Sequence, residues 1–75
     1  MSRIPIVSGR EVVKALSKIG YQVARQRGSH IRLRHSDEAK FKALTVPNHK
    51  TIKPFLLLKI IKQAGLDVQG FRDLL

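Results

Sequence analysis

Arg25-Gln26-Arg27-Gly28-Ser29-His30-Ile31-Arg32-Leu33-Arg34 is the stretch on which the fold turns. Glycine followed by a small polar residue is the signature of a two-residue type II′ hairpin turn. Gly28-Ser29 therefore divides two strands, Tyr21 to Arg27 and His30 to His35. With a two-residue turn Arg27 faces His30, Arg25 faces Arg32 and Val23 faces Arg34. Side chains alternate along a strand, so Arg25, Arg27, His30, Arg32 and Arg34 share one face. Ala24, Ile31 and Leu33 take the other, where helices can cover them.

Upstream, Ser8-Gly9-Arg10-Glu11 reads as a capping box, with Val7 and Val12 placed as a hydrophobic staple. Val12, Leu16 and Ile19 then recur at helical spacing, and Gly20 supplies a left-handed stop. Downstream, Ser36-Asp37-Glu38-Ala39 is a polar turn. A third strand runs from about Phe41 to Val46, and Pro47 closes it. After Asn48, His49, Lys50 and Thr51, Pro54 suits the first position of a second helix. That helix turns Leu57, Ile60, Ile61 and Ala64 inward and ends at Gly65. The predicted fold is α+β, similar to a double-stranded-RNA-binding domain: α-β-β-β-α, a three-stranded antiparallel sheet covered on one face by two helices. The chain is read as a single domain, 1–75, with a short flexible N-terminus at 1–6. A short terminal helix within 67–75 is capped by Asp67 and buries Phe71 and Leu74.

Composition narrows the function. Fifteen Lys and Arg stand against five Asp and Glu among 75 residues, a net charge of +10. So large an excess raises the self-repulsion of the compact state and implies an anionic partner. There are no cysteines, which removes disulfides and thiolate metal sites and fits a reducing compartment. The longest apolar run, Phe55 to Leu58, is far short of the ~20 residues of a membrane span. The expectation is a cytoplasmic protein that binds no membrane, no metal and no cofactor.

The hairpin carries the chemistry. Like charges directly across a ladder destabilise it, so Arg25 opposite Arg32 makes sense chiefly if a polyanion fills the gap. Guanidinium groups bind phosphate bidentately. RNA can be cut without a metal, because its 2′-hydroxyl is an internal nucleophile; a general base and positive charge for the phosphorane suffice. His30, a neutral imidazole among arginines, suits the first task. A lone strand histidine is more often an ordinary surface residue, so spacing alone leaves catalysis the minority reading. His35 ends its strand on the other face, and His49 lies in a polar loop. Three scattered histidines without cysteine make no zinc site. A non-catalytic RNA-binding module of the same fold is the alternative, and a ribosome-associated structural protein is a third.

Several blocks together resemble the HicA (YcfA-like) toxin family. They are Ser8-Gly9-Arg10-Glu11, Gly20-Tyr21, Arg25-Gln26-Arg27-Gly28-Ser29-His30, Val46-Pro47-Asn48-His49 and Ile60-Ile61-Lys62-Gln63-Ala64-Gly65. The likeness spans Val7 to Leu66. It implies a messenger-RNA interferase, the toxin of a type II toxin–antitoxin system, neutralised by a HicB-like antitoxin. It also implies that His30 is the catalytic base and that Gly28 and Ser29 present it. Arg25, Arg27, Ser29, Arg32 and Arg34 would bind RNA, with His49 accessory. Where relatives typically have Lys-Pro-Gly before the second helix, this chain has Lys53-Pro54-Phe55. The Phe55-to-Leu58 run is also more apolar than one buried face requires, as a partner surface would be.

Overall fold

A computed structural model describes residues 3–75. The Ser8 hydroxyl accepts the Glu11 N–H at 3.1 Å, and the Glu11 carboxylate accepts the Ser8 N–H at 2.9 Å. This reciprocal cap opens α1 (Gly9–Ser17), whose Val12, Ala15 and Leu16 are buried. At Gly20, φ is +103°, and the chain turns into β1 (Tyr21–Arg27). β2 (His30–His35) and β3 (Leu44–Pro47) follow, then α2 (Pro54–Gln63) and a short α3 (Val68–Arg72). The sheet is antiparallel in the order β1-β2-β3. Its inner face, with Ile31, Leu33, Leu44 and Val46, packs against Val12 and Leu16 of α1 and Leu57, Ile60 and Ile61 of α2.

Gly28 has φ +58°, while among the described residues no residue other than glycine has a positive φ. A positive φ at the first central position only defines the II′ turn, as the dipeptide predicts. Arg27 pairs with His30 and Arg25 with Arg32. Beyond that point the expected register fails. A β-bulge between Val23 and Arg25 sets Val23 opposite Leu33, and Gln22 takes the place opposite Arg34. The extra residue is Ala24, which lines the open face beside Arg25 and Arg32 rather than the helix-covered face. Because a bulge adds one residue, everything before it changes side. Tyr21 is thereby turned inward, to 2% exposure.

The third strand is shorter and later than Phe41 to Val46. Residues before Leu44 are held by other bonds: Phe41 N–H donates to the Asp37 carbonyl at 2.8 Å, and the Tyr21 hydroxyl donates to the Lys42 carbonyl at 2.8 Å. Burial pushes the Tyr21 phenol pKa up. Pro47 lies inside β3 rather than after it. β3 pairs only with β2, and a missing N–H is tolerated on an edge.

α2 has no side-chain cap and starts at Pro54, and its first turn forms with Phe55 at the second helical position. Asp67 caps α3 by accepting the Gly70 N–H at 2.6 Å, and Phe71 is fully buried. Within the segment read as flexible, Met1 and Ser2 lie outside the described residues. The Arg3 carbonyl accepts a hydrogen bond from Arg72 at 3.0 Å. No helix of the described residues is long and apolar enough to cross a membrane.

Candidate nucleic-acid interface

The sheet face away from the helices is open and basic. Ile31 and Leu33 are buried, so the alternating His30, Arg32 and Arg34 are exposed. Across β1, Arg27 and Arg25 stand opposite His30 and Arg32. Arg25, Arg27, His30 and Arg32 line one shallow groove with Thr45 of β3, and no carboxylate lines it. Arg34 lies farther along, in a groove shared with Arg25, Arg32 and Lys42. The five residues placed together by the hairpin reading do occupy one face.

Two members are less free than the sequence suggests. Arg34 pairs with Glu38, an exposed ion pair between β2 and the following turn. Arg32 donates to the Thr45 hydroxyl at 3.0 Å, which fixes one nitrogen and leaves the rest of the fork for a ligand. Thr45 escaped notice in the sequence, although its place between the apolar Leu44 and Val46 marks it as the outward residue of β3.

The turn is tied to the Pro-Asn-His loop. Asn48 N–H donates to the Ser29 carbonyl at 2.6 Å, and Gly9 N–H donates to the His49 carbonyl at 2.9 Å. His30 pairs with Pro47 across the sheet. His30 and His49 consequently line one groove of about 450 Å³, which runs from the open face around the β3 edge to Leu56, Lys59 and Gln63 of α2. Gly9 permits this packing. A Cβ there would lie 2.1 Å from the Pro47 carbonyl oxygen.

His35 is elsewhere. Its Nδ1 accepts the Asp37 N–H at 2.9 Å, so Nε2 carries the hydrogen and donates to the Ile19 carbonyl at 2.7 Å. The ring stacks on Phe41 and meets Tyr21 edge-on. Those contacts make it a strut between the end of α1 and the β2–β3 turn. Among the described residues, no three His, Cys, Asp or Glu side chains are grouped to hold a metal ion.

The family described as HicA toxin of bacterial toxin–antitoxin matches residues 9–66. The chain belongs to the HicA toxin family. The match runs from the first residue of α1 to the segment after α2, so it takes in both the Gly28-Ser29-His30 turn and the Pro47-Asn48-His49 loop. The chain has no significant match among curated proteins or solved structures. As a HicA-family chain, it carries the family's implication of an antitoxin partner.

Proposed function

We propose that this chain is the toxin of a type II toxin–antitoxin pair, a metal-independent endoribonuclease acting on messenger RNA in the cytoplasm, with His30 as general base. The observation that supports this reading is His30 in one groove with Arg25, Arg27 and Arg32, free of any lining carboxylate. RNA cleavage by its own 2′-hydroxyl needs a base, positive charge against the phosphorane, and a proton for the departing 5′-oxygen. In this reading His30 takes the 2′ proton. The 2′-oxygen bonds to phosphorus as the bond to the 5′-oxygen breaks, leaving a 2′,3′-cyclic phosphate. The guanidinium forks of Arg25, Arg27 and Arg32 hold the non-bridging oxygens. His49, on the adjoining groove, is the accessory group that serves the leaving oxygen. A HicB-like antitoxin would silence the enzyme by setting acidic groups over the same face.

The test is His30→Ala, assayed on a structured RNA in EDTA. Cleavage should fall by about 100- to 10,000-fold, the usual contribution of a general base. Stability should change by no more than roughly 0.5 kcal/mol, since the residue is exposed. Affinity should largely survive, because phosphate contacts supply most of it. Cleavage persisting near the wild-type rate would sink the assignment and leave the non-catalytic RNA-binding module in its place.

A further inference from the structure

Phe55 is 88% exposed, the most exposed large apolar side chain among the described residues. It is not isolated. With Leu58, Lys59 and Lys62 it forms one wall of a groove whose other wall is Lys40 and Lys42, from the loop before β3. Phe55, Lys59 and Lys62 are spaced i, i+4 and i+7, so one stripe of α2 presents a ring followed by two ammonium groups. No acidic residue lines this groove. It shares Lys42 with the groove beside Arg25, Arg32 and Arg34, and Lys59 and Gln63 with the one that holds His30 and His49. A basic track thus continues from the candidate cleavage centre around the sheet edge to the exposed ring.

We propose that Phe55 is a base-stacking platform in an accessory single-stranded RNA subsite, with Lys40, Lys42, Lys59 and Lys62 on the backbone phosphates. The subsite rests on the ribonuclease reading and extends it to substrate class. A positively charged groove that tracks the backbone, combined with an aromatic face, is the common way to bind a single strand without sequence preference. A paired base is already stacked and cannot use the ring. An apolar protein surface set on Phe55 would have to strip water from four neighbouring ammonium groups, whereas a polyanion satisfies them.

The experiment measures affinity of the full chain for a short single strand carrying 2′-deoxy sugars, which lacks the nucleophile and cannot be cut. Phe55→Ala should weaken binding by about 5- to 150-fold, the span of base–aromatic stacking on alanine substitution. Phe55→Trp should restore it, and the indole fluorescence should be quenched by the bound strand. Lys59→Ala and Lys62→Ala should each lower the logarithmic salt slope by about 0.7. The melting temperature of Phe55→Ala should match wild type, because the ring is exposed. Unchanged affinity in Phe55→Ala, with RNA cleavage normal, overturns the subsite and leaves the nuclease reading intact. A wild-type chain that binds no such strand but still cleaves RNA overturns the subsite alone, and one that neither binds the strand nor cleaves RNA overturns both. Equal loss for duplex and single strand overturns stacking. Loss of antitoxin affinity alone assigns the face to a protein and overturns the proposal.

Discussion

Gly9→Ala separates two opposing effects at one atom. Gly9 is the first residue of α1, and its φ is not in the left-handed region, so alanine meets no backbone penalty there. Helix propensity alone favours the change by up to about 1 kcal/mol. Against it, the new Cβ would lie 2.1 Å from the Pro47 carbonyl oxygen and 3.0 Å from Asn48 Cα. Both are backbone atoms, so no side chain can rotate aside, and helix and loop must separate by nearly an ångström. That movement breaks the 2.9 Å bond from Gly9 N–H to the His49 carbonyl, a loss of about 0.5–1.5 kcal/mol. Overpacking adds about 1–3 kcal/mol. With the full propensity gain set against these costs, the net expectation is destabilisation of about 0.5–3.5 kcal/mol. For a domain this small, that lowers the melting temperature by about 4–8 °C per kcal/mol. Thermal unfolding followed by circular dichroism reads the result. RNA cleavage, measured well below the transition, should also fall because the loop bearing His49 has moved. A melting temperature equal to or above wild type would mean that propensity wins and the close approach does not exist.

Arg32→Ala should weaken RNA binding and flatten its salt dependence by close to one phosphate's worth of slope, about 0.7 for a single strand; a parallel salt plot would remove Arg32 from the interface. Mixing the chain with its HicB-like antitoxin should give a complex at moderate salt whose association rate falls as salt rises. No complex, or a rate indifferent to salt, would argue against capture through the basic face.

The sequence by itself determined whatever is decided within a few residues. Ser8 and Glu11 cap α1 because their partners are three positions away. Gly28-Ser29 makes a II′ turn because only glycine takes that φ without cost. With the turn fixed, Arg25, Arg27, His30 and Arg32 had to come together. The inward stripe of α2 was legible from its period, and the family resemblance from the Gly-Ser-His and Pro-Asn-His blocks.

Tertiary structure decided the rest. Simple alternation from Arg25 would turn Tyr21 and Val23 to the open face, and nothing local forbids it. The bulge at Ala24 reverses them. It gives up one step of the ladder so that Tyr21 can be buried, with its hydroxyl on the carbonyl of Lys42 and its ring against His35 and Phe41. Burying a large side chain is worth about 1.5–3 kcal/mol, more than a single ladder bond returns. The same bonds hold residues 36–43 out of the sheet and delay β3 to Leu44. The partners that decide these questions lie 14 to 21 residues from Tyr21 along the chain. A pattern read over neighbouring residues cannot contain them, and only the packed core brings them to the ring.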